Sequence, residues 1–123
     1  MATLTLTTDN HDQTVAGGIV LIDFWAAWCG PCHRFAPIFE QAAQDHPDIT
    51  FAKVDTDDQR ELAASYGVMS IPTLVIYRDG IPVFSQPGAL PAAVLEDLIA
   101  QVRALDMDDV RASYDAHLAQ QRT

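Results

Sequence analysis

The sequence predicts one α/β domain built on a central mixed sheet, with an extra helix appended at its C-terminal end. Three observations carry this reading. An unbroken β-branched and apolar run lies at Ile19 to Phe24, a helical apolar period over Pro31 to Asp45 leads into a second strand, and two later strand-like runs flank a tight-turn sequence. At 123 residues the chain has the length of one ordinary domain and can bury a core without disulfide staples or a structural metal.

The run "IVLIDF", Ile19 to Phe24, reads as a strand covered on both faces, because a one-sided strand would alternate with polar residues. Phe35, Ile38, Phe39 and Ala42 recur at helical spacing within Pro31 to Asp45, and "TFAKV", Thr50 to Val54, is the next strand. Strand, helix and strand in this length form a βαβ unit with a right-handed crossover. A second helix is expected over Asp58 to Tyr66, begun by the acidic "DTDD" and stopped by Gly67. "TLVIY", Thr73 to Tyr77, and "IPVFS", Ile81 to Ser85, enclose "RDG" as a hairpin, and Pro82 places the second strand at a sheet edge because it cannot donate to a ladder. Leu90 to Ala104 carries Val94, Leu95, Leu98, Ile99 and Val102 on one helical face. Beyond it, Asp106 is a helix cap, and Val110, Tyr114 and Leu118 recur every fourth residue. The expected division is therefore a domain over residues 1–104 and a helical extension over residues 105–123.

Composition narrows the function classes. Hydrophobic residues at 49 % with 20 % charged residues describe a globular chain. The start "MATLTLTTDNHD" lacks the basic and apolar regions of a secretory signal, and the longest apolar run, Val15 to Trp28, is interrupted by Asp23 and too short to span a bilayer. A cytoplasmic, reducing location is expected, where a purely structural disulfide would be out of place. A net charge of −10, with Lys53 as the single lysine, argues against nucleic acid and anionic membranes as partners, since both demand clustered cations.

Both cysteines fall in "FWAAWCGPCHRFAP", at the junction of the first strand and the first helix read above. A Cys-X-X-Cys pair there suits reversible redox chemistry. Cys29 meets the free N–H groups and positive end of the helix, which favour its thiolate and make it the nucleophile; Cys32, one turn on, can resolve the mixed disulfide. Pro31 is tolerated in a first helical turn and stiffens it, and Gly30 leaves room for an approaching protein disulfide. A zinc site would want a second Cys or His pair at matching spacing, and none is present. An inert buried pair would leave Trp28, Gly30 and Pro31 without a reason.

With those residues in view, "DFWAAWCGPC", "SIPTL" and "GAL" resemble, in order and separation, the active-site segment, cis-proline loop and substrate-facing loop of the thioredoxin family. The resemblance runs from about Thr3 to Ala104. It implies the thioredoxin fold, with helices on both faces of the sheet, and a general protein disulfide reductase that needs no bound cofactor. It further implies disulfide-containing protein substrates, an NADPH-dependent flavoprotein thioredoxin reductase as electron donor, and a monomer. Asp23, costly as a charge within so apolar a strand, becomes by resemblance the buried acid that exchanges a proton with Cys32, and Lys53 its ammonium partner. The Ile71–Pro72 bond is implied to be cis, although only about 5 % of such bonds are. The backbone of Ile71 is then free to pair with an extended substrate, within a shallow collar of Trp28, Gly30, Pro31, Ile71, Gly88 and Ala89.

Three positions depart from the family pattern. His33 replaces a usual lysine or arginine, so a fixed charge gives way to one that depends on pH. His11 stands where an aromatic packs, which weakens the expected docking of the first helix. Pro87 removes an N–H before "GAL". Two other function classes remain open at this level: a redox-independent binding or chaperone module on the same scaffold, and a disulfide oxidase or isomerase.

Overall fold

The computed structural model describes residues 2–121; Met1 and the last two residues of the expected tail, Arg122 and Thr123, lie outside the described residues. In chain order the elements are β1 (Leu4–Thr5), α1 (His11–Val15), β2 (Ile19–Trp25), α2 (Gly30–Asp45), β3 (Thr50–Asp55), α3 (Arg60–Ser65), β4 (Thr73–Arg78), β5 (Ile81–Pro87), α4 (Ala92–Arg103) and α5 (Met107–Gln121). The sheet order is β1-β3-β2-β4-β5, with β1, β3 and β2 parallel and the β4 and β5 pairings antiparallel. The sheet is thus mixed, as expected.

β2 lies at the centre, and its side chains alternate between two cores. Leu21 faces Phe35, Phe39, Phe51, Leu74, Ile76, Leu95 and Ile99, which joins the sheet to α2 and α4. Val20, Ile22 and Phe24 face Val15, Ala52, Val54, Leu62 and Val75, beneath α1 and α3. Both faces are therefore covered, which explains why this strand reads as a continuous apolar run. Asp23 shares the parity of Leu21 and points to the α2 and α4 side, with no exposed surface.

Element boundaries moved where local chemistry competed with helix. α3 starts at Arg60 instead of Asp58 because the Asp55 carboxylate accepts the N–H groups of Asp57 at 3.0 Å and Asp58 at 3.3 Å, holding the "DTDD" segment as a turn. Gly67 follows α3 in a left-handed conformation (φ 66°), as its role as a stop requires. α4 starts at Ala92 instead of Leu90, since a residue before proline is driven out of the helical region, and Pro91 serves as the N-cap. The hairpin between β4 and β5 turns at Asp79 (φ 53°) and Gly80 (φ 82°), and β5 is the edge strand; the ladder slips between Ile76 and Tyr77, where Pro82 sits opposite.

The residue pattern delimits neither β1 nor α1, and a helix at His11 was expected only through the family resemblance. α1 docks despite the unusual His11: Nε2 of His11 bonds the Tyr66 hydroxyl, which in turn bonds the Tyr77 hydroxyl at 2.8 Å, and the His11 and Tyr66 rings meet edge to face. A polar chain thus does the work expected of an aromatic contact. At the other end, Asp106 caps α5 by accepting the N–H groups of Asp108 and Asp109. Met107, Val110, Tyr114 and Leu118 are the half-buried residues of α5, and a groove lined by Ile81, Pro82, Val83, Leu105, Val110 and Tyr114 separates it from the start of β5. Nη1 of Arg78 donates to the carbonyls of Val102, Arg103 and Leu105, closing the end of α4 and the turn into α5. No helix among the described residues is long and apolar enough to cross a membrane.

Candidate active site

The site forms where β2 ends and α2 begins. The four residues Ala26 to Cys29 join these elements, and Cys29 is the N-cap of α2 with Pro31 in its first turn. The N–H of Cys32 donates to Sγ of Cys29 at 3.2 Å, so the sulfur takes the place that a capping oxygen would occupy. Any negative charge on Cys29 is met there by a helix N–H and by the positive end of a helix of 16 residues. Cys29 and Cys32 are joined as a disulfide, with Cα atoms 5.3 Å apart, and both are buried, at 4 % and 2 % exposure, among Ala26, Trp25 and Ile71. The pair is accessible only at its rim.

That rim gathers residues distant in sequence. The Ile71–Pro72 bond is cis. The Ile71 carbonyl oxygen lies 3.6 Å from Sγ of Cys29, while Pro72 itself is buried. The N–H of Gly88 donates to the Pro72 carbonyl at 2.7 Å, which brings the Gly88 and Ala89 loop against the Ile71 and Pro72 loop. Gly88 adopts φ 107°, a conformation open to glycine and strained for other residues. Trp28 is 71 % exposed, its indole N–H donating to Asp57 at 3.0 Å. Trp28 and Ile71 then line a groove of about 410 Å³ with Thr56, Val68, Met69 and Ser70. The structure thus places Trp28, Gly30, Pro31, Ile71 and the Gly88 loop beside the cysteines. Asp57, bonded to Trp28, and the exposed Met69 lie beside these residues and were not singled out in the sequence. The signal for Asp57 was present in "DTDD", which sequence reading assigned to a helix start.

Asp23 lies in the strand that leads to the site. Both of its carboxylate oxygens are buried and have no hydrogen-bond partner among the described residues. Burial pushes its pKa up to about 7, and the nearby charge of Lys53 opposes that rise. Lys53 is opposite Asp23 in the β2–β3 register, with its ammonium group 4.9 Å above the Trp25 ring, a cation–π arrangement. Among the described residues no cluster of three or more His, Cys, Asp or Glu side chains could hold a metal ion.

Comparison with known proteins agrees with this geometry. The family model described as Thioredoxin matches residues 2–101. A Streptomyces coelicolor relative, named as a second thioredoxin, is 55 % identical over 120 residues, covering 97 % of this chain and 90 % of its own, so the match runs through most of α5. The thioredoxin of Bacillus subtilis is 41 % identical over 100 residues, covering 80 % of this chain and 96 % of its own. The solved structure of a mutant thioredoxin from Halobacterium salinarum superposes with a TM-score of 0.78 at 36 % identity, over 84 % of this chain and 92 % of that one.

Proposed function

Because the chain belongs to the thioredoxin family and carries its cysteine pair, it acts in protein disulfide reduction, and we propose that Cys29 is the nucleophile, Cys32 the resolving thiol and Asp23 the base. The observation that carries this assignment is the Cys32 N–H bonded to Sγ of Cys29 at the start of α2. In the reduced protein the Cys29 thiolate attacks one sulfur of a substrate disulfide. That bond breaks, a mixed disulfide forms, and the departing substrate thiolate takes a proton. Cys32 then gives its proton to Asp23 and attacks Sγ of Cys29, so the protein closes its own disulfide and the substrate leaves as a dithiol, reduced by two electrons. A carboxyl group whose pKa is near 7 suits this role, since it is poised to accept a proton at neutral pH.

The remaining residues position the substrate. An extended segment pairs with the backbone at Ile71, beside cis Pro72, while Trp28, Gly30, Pro31, Gly88 and Ala89 border the cysteines without selecting a particular side chain. Lys53 limits how far the pKa of Asp23 rises. A flavoprotein reductase that uses NADPH returns the two electrons, in the cytoplasm, to a monomeric protein. Residues 1–104 carry the reaction, and the helical extension over residues 105–123 serves stability. A panel of reductases with insulin as the disulfide substrate tests this reading. Turnover with at least one flavoprotein donor, abolished when both cysteines become serine, is expected; no turnover by the parent with any donor, together with partner binding that survives the double-serine substitution, would leave only a binding role.

A further inference from the structure

His33 is the fourth residue of α2, and its N–H closes on the Cys29 carbonyl at 3.3 Å. Helical side chains lean toward the N-terminus. Its imidazole accordingly lies back along the loop before the helix, with Nε2 2.6 Å from the Ala27 carbonyl oxygen. A carbonyl can only accept, so Nε2 carries the hydrogen and Nδ1 is left to take a second proton. The loop Ala26 to Cys29 is joined to the helix at Cys29 itself, by the disulfide and by the N–H groups of Cys32 and His33, and is held further by the Cys29 N–H on the Ala26 carbonyl, the Trp28 indole on Asp57, and His33 on Ala27. The His33 side chain adds a tie to the helix ahead of Cys29, one that does not depend on the disulfide.

We propose that His33 is a positioning residue for disulfide reduction, pinning the loop that presents Cys29 through the Ala27 carbonyl and easing ionisation of Cys29 when the imidazole gains its second proton. The inference rests on Cys29 being the nucleophile. Protonation leaves the pin intact, because the added proton goes to Nδ1 and Nε2–H becomes a stronger, charge-assisted donor. Few charges face the ring. Arg34 follows it on α2 with Nη1 near Gly30, Asp57 stands across the loop at Trp28, and among the described residues no carboxylate is within ion-pair distance of the imidazole. A charge on the imidazole is therefore not cancelled by an ion pair and acts on the sulfur one turn away.

The test compares the full-length protein with His33→Gln, which keeps an N–H donor without titrating, and His33→Ala, which keeps neither. Alkylation of each cysteine by iodoacetamide is followed by mass spectrometry across pH, beside insulin reduction. In mild alkali the glutamine variant is expected to match the parent, while the alanine variant alkylates at Cys29 several-fold more slowly, on the order of the loss of one hydrogen bond. On the acid side of neutrality the parent is expected to exceed the glutamine variant by about two- to fivefold, the size of one nearby charge in a partly solvated site. Profiles identical in all three proteins, or a glutamine variant as impaired as the alanine one at every pH, would overturn the proposal. Faster alkylation of Cys32 in the parent would instead overturn the assignment of the nucleophile.

Discussion

Asp23 and Lys53 stand opposite each other across the β2–β3 pair, yet the lysine is drawn over the Trp25 ring and both carboxylate oxygens of Asp23 lack a hydrogen-bond partner among the described residues. The acid is therefore costly to ionise and is only partly relieved by its neighbour. Its raised pKa makes that cost a measurable function of pH.

The first prediction concerns Asp23→Asn. The folded state keeps the Asp23 proton up to about pH 7, whereas the unfolded chain releases it in the ordinary carboxylate range, so native stability falls as pH rises between those limits. The amide escapes this, and its advantage over the parent should grow from little at about pH 4 to roughly 2–4 kcal/mol above about pH 8. Urea unfolding of both proteins at several pH values measures it. The same substitution should slow the resolution of mixed disulfides, and a gain in stability independent of pH would show that ionisation of Asp23 is not the cause.

Lys53→Met removes the charge that lowers the pKa of Asp23. The carboxyl should then titrate above about 7, and the acid limb of the pH profile for mixed-disulfide resolution should move to higher pH. Carboxyl carbon resonances of Asp23 followed through a pH titration give the shift directly. An unmoved titration would mean that the lysine acts on Trp25 alone.

Arg78→Ala breaks three donations to the end of α4 and the turn into α5. A loss of about 2 kcal/mol is expected, typical for a charged donor serving partly buried carbonyls. Hydrogen exchange should rise chiefly in α5 and the last turn of α4, with disulfide reduction unaffected. Uniform loss of protection across the sheet would contradict a local clamp.

Deleting residues 106–123 removes a helix whose apolar stripe is narrow but half covered along its length by the β5 side of the domain. An isolated helix of this length and composition is marginal in water, so its order depends on that surface. Melting should fall by roughly 5–10 °C for the loss of about 2 kcal/mol, with insulin reduction unchanged. Unaltered melting together with weaker coupling to a reductase would instead make α5 a docking element.

Much of this architecture was legible in the sequence because the signals were local or doubled. The continuous run of Ile19 to Phe24 announced a strand buried on both faces, Asp106 and the spacing of Val110, Tyr114 and Leu118 announced α5, and Arg78-Asp79-Gly80 announced the hairpin turn. β1 has two residues, both exposed, and α1 has five with one buried, so neither leaves a period to read; both are fixed by partners far along the chain. The cis bond at Pro72 was legible only through resemblance, since neither it nor the bond from Gly88 to Pro72 has a local signature. The displacement of Lys53 onto Trp25, the tie from His33 to Ala27 and the clamp by Arg78 depend on where side chains reach in three dimensions, which residue spacing does not report.

The measurement that bears most directly on the account is the trapping of a mixed disulfide. Cys32→Ser and Cys29→Ser variants are each mixed, in reduced form, with a disulfide-bonded test protein and resolved without reductant. With Cys29 at the helix start as nucleophile and Cys32 as the resolving thiol, Cys32→Ser should accumulate a one-to-one covalent adduct through Cys29 that dithiothreitol releases, and Cys29→Ser should accumulate none. An adduct formed by Cys29→Ser and not by Cys32→Ser would reverse the roles of the two thiols and contradict the mechanism.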